Sequence, residues 1–208
     1  ENPAVRQEVQ QIMAWWLAKG IDGFRLDAIN LIAKAPGLPD NFGDGRYVFS
    51  IEHFCNQPRY HDYLREMNHA VLARRDVLTV GECAALTVDA AVAVSSPARA
   101  ELNMAFLFEH TDYYNTVGKD PQKLKEILTR WQVGLHGRGW VGLAFNNHDQ
   151  PRVVSCFGDD VRYRTESAKL FATLLLTLEG TPFLLQGEEL GMTNAVYTTI
   201  EEYNDVQT

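Results

Sequence analysis

The chain has 208 residues, 46% of them hydrophobic and 22% charged, and a net charge of −8. Such a composition can bury a substantial core as one domain or most of one, and its acidic balance excludes a polyanionic partner such as nucleic acid, which demands a basic face. No stretch reaches the ~18 apolar residues that would span a bilayer, so no membrane partner is expected.

Val5, Val9, Ile12, Met13, Trp16 and Leu17 recur at helical spacing, with Asn2-Pro3 as cap and first-turn proline and Gly20 as the stop. Because this organised cap directly follows Glu1, the chain is expected to be an internal piece of a larger domain. Ile21 to Leu26 is a short apolar-rich strand running into Asp27, followed by an irregular stretch through Pro36, Pro39, Gly43 and Gly45. Loops of that length are usually functional. A second helix is expected from about Pro58 to Arg74, with Leu64, Met67 and Val71 inward, and the β-branched run Val77-Leu78-Thr79-Val80 then leads to Glu82. Leu102 to Phe108 reads as the next strand, and Asp120-Pro121 caps a helix whose Leu124, Ile127, Leu128 and Trp131 form one face. Trp140 to Phe145 is a strand that runs into Asn146-Asn147-His148-Asp149. A helix from about Thr165 to Glu179 stops at Gly180, and Phe183-Leu184-Leu185 is the last strand. Trp15 and Trp16 read as one core and one partly exposed residue.

Helices alternating with strands predict an α/β fold around a parallel sheet, which a doubly wound sheet and a (β/α) barrel both satisfy. The barrel is favoured because no Gly-rich phosphate turn follows any strand and because acids follow several different strands. The carboxyl ends of barrel strands converge on one face, so Asp27, Glu82 and Asp149 are expected in one pocket. Glycosidic bond hydrolysis needs an acid to protonate the leaving oxygen and, with retention, a carboxylate to attack the anomeric carbon. Arg25, two residues before Asp27 on the same strand face, would keep Asp27 ionised. Glu82 would need surroundings that keep it protonated. Asp149 would bind sugar hydroxyls, with His148 beside it. Each residue also has a plainer reading: Asp27 as a turn residue, Arg25 as a salt bridge, His148 as a structural histidine, Arg152 as a helix-start charge and Cys83 as a small packed residue. Cys55, Cys83 and Cys156 are odd in number and far apart, which suits reduced thiols in a cytoplasm better than a disulfide framework or a zinc site.

Gly23-Phe24-Arg25-Leu26-Asp27-Ala28-Ile29-Asn30, Gly81-Glu82 and Asn146-Asn147-His148-Asp149-Gln150-Pro151-Arg152 resemble three signature regions of the α-amylase superfamily of glycoside hydrolases. Leu31 to Asp40, Glu101 to Met104, Phe108-Glu109-His110 and Gln186 to Met192 extend the likeness to its oligo-1,6-glucosidase and α-glucosidase branch. The resemblance implies a partial (β/α)8 barrel, about strands four to eight, with residues 1–208 as the C-terminal part of the catalytic domain and the first three strands and an inserted small domain lying outside the chain. It assigns Asp27 as nucleophile, Glu82 as general acid/base and Asp149 as transition-state stabiliser, with Arg25, His148, Ala28 and Arg152 as sugar-site residues. Retaining chemistry sets the Asp27 and Glu82 carboxyls ~5 to 6 Å apart. It implies a short oligosaccharide substrate, no cofactor and no metal. Cys83 stands where relatives commonly carry Thr.

Relatives favouring α-1,6 bonds tend to carry Val at the position of Ala28, which points this chain toward α-1,4 links. The alternatives are an oligo-1,6-glucosidase, or a transglycosidase or isomerase of the same superfamily. Sucrose-isomerising relatives have an Arg-rich loop where this chain has Thr111-Asp112-Tyr113-Tyr114-Asn115, which favours hydrolysis. A non-catalytic barrel would lack the three acids.

Overall fold

Every strand pairs with the next one in the chain. In the computed structural model, which describes residues 2–37, 39–41, 45, 48–111 and 119–202, five strands form one sheet in the order β1 (Gly23–Leu26), β2 (Leu78–Gly81), β3 (Met104–Leu107), β4 (Val141–Leu143), β5 (Thr181–Pro182). All four pairings are parallel. A doubly wound sheet reverses its strand order at a switch point. None occurs here, and the consecutive order is that of a (β/α) barrel. Gly43 and the run Asp112 to Asn115 lie outside the described residues.

Among the described residues the sheet is flanked by the helices α1 (Pro3–Ala18), α2 (Arg59–Ala70), α3 (Val88–Ser95), α4 (Pro121–Leu135), α5 (Val153–Phe157) and α6 (Arg164–Thr177). Asn2 caps α1 by accepting from the Ala4 amide at 2.9 Å, and Pro3 fills the first position. Arg6 and Gln10 of α1 both donate to Glu66 of α2, at 2.9 and 3.1 Å. The α1 stripe departs from expectation: Met13 and Leu17 are buried, but Val5, Val9 and Ile12 are exposed, and so are both Trp15 (54%) and Trp16 (46%). The expected second helix ends at Ala70 and continues as a 3-10 turn over Leu72–Arg74.

Sequence periodicity gives no sign of α3. Its Val- and Ala-rich run lacks a polar face, and the helix is instead secured by Thr87, whose Oγ1 accepts the Ala90 amide at 3.2 Å. The last strand sits earlier than expected, at Thr181–Pro182, with Thr181 opposite Gly142. Pairing continues only to the Phe183 amide, which donates to the Leu143 carbonyl at 2.8 Å. Pro182, which has no N–H, leaves that donation to its neighbour Phe183.

Side chains alternate across the sheet. Val80, Met104, Phe106 and Ala144 form an inner cluster with Phe108 and Phe183, while Leu107, Val141 and Leu143 face outward onto α3, α4 and α6 with Trp131, Phe171 and Leu175. A separate outer cluster joins α1 and α2 through Leu17, Tyr60 and Leu64. β1 and β2 approach so closely that a Cβ on Gly23 would lie 2.0 Å from the Leu78 carbonyl oxygen, so only glycine fits. Glu101, fully buried before β3, accepts from Arg99 at 2.8 Å and Arg65 at 3.3 Å and meets His61 Nδ1 at 2.6 Å. This cluster braces the sheet end opposite the strand-end acids.

No described helix is long and apolar enough to cross a membrane. Cys55, Cys83 and Cys156 are thiols.

Candidate active site

β1 and β2 end together, and their two acids meet. The ladder runs past the strands: the Glu82 amide donates to the Leu26 carbonyl at 2.9 Å and the Ile29 amide to the Glu82 carbonyl at 3.0 Å. Between those bonds the chain turns sharply, with Ala28 in the left-handed region at φ 43° and ψ 38°. Asp27 is thereby turned outward, its side chain 75% exposed, whereas Glu82 is 22% exposed.

Arg25 holds both. Its Nη1 donates to Asp27 Oδ1 and its Nη2 to Glu82 Oε2, the latter at 2.6 Å. The hydrogen bond from Arg25, then one from Glu82, then the guanidinium charge keep the Asp27 carboxyl below the ordinary Asp range. Burial first, and the neighbouring Asp27 second, push Glu82 above the ordinary Glu range, against the pull of Arg25. Two carboxyls at one arginine are thus displaced in opposite directions, as division into a base-like and an acid-like group requires. Each carboxyl is held by its own nitrogen of the guanidinium, Asp27 by Nη1 and Glu82 by Nη2. Arg25 thus gathers both carboxyls to one side chain.

Asp27, Ala28, Glu82, Asn147 and Asp149 line a cavity of about 560 Å³ that also takes in Phe108 and Thr111. All three predicted acids therefore share one pocket. Asp149 is 60% exposed and rests in its own turn, its amide donating to Asn147 Oδ1 at 2.9 Å while His148 Nε2 lies 3.3 Å from its carboxyl. His148 and Arg25 line an adjoining cavity of about 170 Å³. Arg152 lines neither cavity: its Nη2 sits 3.9 Å from Met192 Sδ and its amide donates to Asn194 at 2.6 Å. Cys83 is buried in the wall of the same cavity as the three acids, and burial pushes its thiol up to about 12. Among the described residues no group of three or more His, Cys, Asp or Glu side chains converges as metal ligands do.

Two supports lie within segments that carry the resemblance, though neither is assigned a role there. Asn30 is completely buried and joins the loops after β1 and β2. His110, also buried, pairs its Nε2 with the Ala144 carbonyl at 3.0 Å, tying β3 to the end of β4, and burial lowers its pKa to about 4.

The model of the alpha-amylase catalytic domain matches residues 1–208. The chain belongs to the alpha-amylase catalytic-domain family. Within that family it is 47% identical to an oligo-1,6-glucosidase of Parageobacillus thermoglucosidasius, over all of this chain and 39% of that protein. It is 48% identical to a trehalose-6-phosphate hydrolase of Bacillus subtilis, over all of this chain and 38% of that one. A solved trehalose-6-phosphate hydrolase of Bacillus licheniformis superposes with a TM-score of 0.89 at 45% identity, covering 99% of this chain and 38% of its own. The chain thus spans about two fifths of the relatives it matches, and it is part of a (β/α)8 barrel.

Proposed function

We propose that the protein carrying this chain is a retaining α-glucosidase of the oligo-1,6-glucosidase kind, releasing glucose from the nonreducing end of short α-linked oligosaccharides, with residues 1–208 as the C-terminal part of its catalytic domain. The observation that carries this reading is the single guanidinium of Arg25 shared by two strand-end acids, Asp27 with its pKa lowered and Glu82 with its pKa raised. In the first step a carboxylate oxygen of Asp27 bonds to the anomeric carbon as the glycosidic C–O bond breaks, and the Glu82 proton passes to the departing oxygen. In the second, Glu82 takes a proton from water as the water oxygen displaces Asp27, which restores both groups. Asp149 stabilises the distorted sugar. Arg25 and His148 contact its hydroxyls, while Arg152 supports the Asp149 loop from outside the pocket.

Linkage is where the reading departs from Ala28. Three of the relatives, at 47 to 49% identity, are named oligo-1,6-glucosidase, which supports the α-1,6 alternative over the α-1,4 preference inferred from that one small side chain. Discrimination by one or two methyl groups is worth only ~1 to 3 kcal/mol, so activity on α-1,4 bonds is expected beside it. The trehalose-6-phosphate hydrolases among the relatives raise a phosphorylated substrate. Among the described residues, however, no Lys or Arg lines the cavity of the three acids, and Arg25 is already held by two carboxyls, so a neutral sugar fits better. The thiols of Cys55, Cys83 and Cys156 support a reducing compartment.

The test is kcat/KM of the full-length protein on isomaltose, maltose and trehalose 6-phosphate, with NMR of the first-formed anomer. Isomaltose preferred, with α-glucose appearing first, is the expected result; β-glucose first, or trehalose 6-phosphate preferred, overturns it.

A further inference from the structure

Asn30 has a fully buried side chain with every polar atom placed. Its Oδ1 accepts the Ala84 amide at 3.0 Å, and its Nδ2 donates to the Ala84 carbonyl at 2.7 Å and to Asn56 Oδ1 at 2.8 Å. The Ala84 amide and carbonyl therefore fix which way the Asn30 amide points. Asn56, at φ 52°, completes the arrangement: its backbone amide donates to the Asn30 carbonyl at 3.1 Å and its side chain reaches the Ala85 carbonyl at 3.3 Å.

The position of these bonds gives them meaning. β1 leaves the ladder at Ala28, two residues after its last strand residue, yet β2 must run on in a defined path to hold Glu82. Glu82 is gripped on its own amide and carbonyl by Leu26 and Ile29. Beyond Cys83, the next residue is gripped on both backbone groups by a side chain rather than by a strand. The Asn30 amide thus takes the place of a missing ladder residue, and it stands three residues from Asp27.

From this we infer that Asn30 is a positioning residue for Glu82: through Ala84 it sets where the proton donor stands relative to Asp27. The inference rests on reading Glu82 as the acid/base. A buried amide serving the fold alone would slow all substrates alike. An amide that places the proton donor matters only where the leaving group needs a proton.

The experiment compares Asn30→Ala with the unaltered full-length protein on two substrates. Isomaltose has an alkoxide leaving group that must be protonated; 2,4-dinitrophenyl α-glucoside has one that leaves without a proton. Because kcat/KM reports the first irreversible step, later use of Glu82 as a base does not blur the contrast. The expected result is a fall of about 10²-fold in kcat/KM for isomaltose, against less than about fivefold for the dinitrophenyl glucoside. Loosening around Glu82 lets water in, so the alkaline limb of the isomaltose profile should also move to lower pH. Turnover of the activated substrate doubles as the check that the variant is folded.

If Asn30→Ala does not fold, Asn56→Gly carries the test, since glycine accepts the positive φ while the second acceptor of the Asn30 Nδ2 is lost. The same split, about fivefold against no change, is then expected. Equal losses on both substrates, or no loss on isomaltose, in the variant that folds overturn the inference while leaving the proposed function standing. An unaltered protein inactive on both substrates removes the proposed function, and this inference with it.

Discussion

The β1–β2 end of the sheet and the β4–β5 end present their carboxylates on different footings. At the first, four residue pairs lock the strands in register, and both backbone groups of Glu82 lie in the ladder. At the second, only two pairs join the strands, and Asp149 lies in a turn stabilised by its own neighbour Asn147. Asp27 and Glu82, the proposed nucleophile and proton donor, are thus brought together by the backbone, whereas Asp149 is set by a short loop and leaves most of its carboxylate to water.

Breaking the rigid end should cost most. Asp27→Asn should lower kcat/KM for isomaltose by about 10⁴-fold or more in steady-state assays. It should leave the melting temperature close to the parent value, because the side chain is largely exposed. Near-normal turnover would remove Asp27 from the reaction. At the looser end, Asp149→Asn should cost about 10² to 10³-fold, mostly in kcat, as expected for lost stabilisation of developing positive charge. A loss as deep as that of Asp27→Asn would mean that the two ends are equally assembled.

The smallest effect sharpens the role of Arg25. With Asp27 displaced downward and Glu82 upward, activity requires Asp27 ionised and Glu82 protonated, so the kcat/KM profile should be a bell whose limbs lie below and above those of free carboxyls. Arg25 pulls both groups down. In Arg25→Met both limbs should therefore move to higher pH; a profile displaced only in height would mean that Arg25 does no more than bind sugar.

The barrel was legible because parallel strands buried on both faces read as short apolar runs, and because Asp27, Glu82 and Asp149 each close such a run. What escaped was decided by partners distant in sequence. Val88–Ser95 looks like strand composition and becomes helix through the Thr87 cap and contacts with α4. The α1 stripe of Val5, Val9 and Ile12 has the spacing of a buried face, yet finds no cover among the described residues. Asn30 closes the signature Gly23–Asn30 with no role of its own until Ala84, 54 positions away, is seen to accept from it and donate to it. That both carboxyls share Arg25 depends on where one guanidinium can reach, which no spacing rule contains.

The Asn30–Ala84 pairing also bears on how such a site can be redesigned. Loops at strand ends are the usual units of exchange when a barrel is given a new substrate, but here the loop after β1 and the loop after β2 share one amide. A graft of residues 27–31 without an Asn at position 30 strips the Ala84 backbone of its partner, and a graft of 82–85 that changes the backbone path at 84 strands Asn30 in the interior; either leaves a buried polar group unsatisfied at a cost of about 1 to 3 kcal/mol. The transferable module is the two loops together with Cys55-Asn56, three pieces of chain that would have to be exchanged in one step.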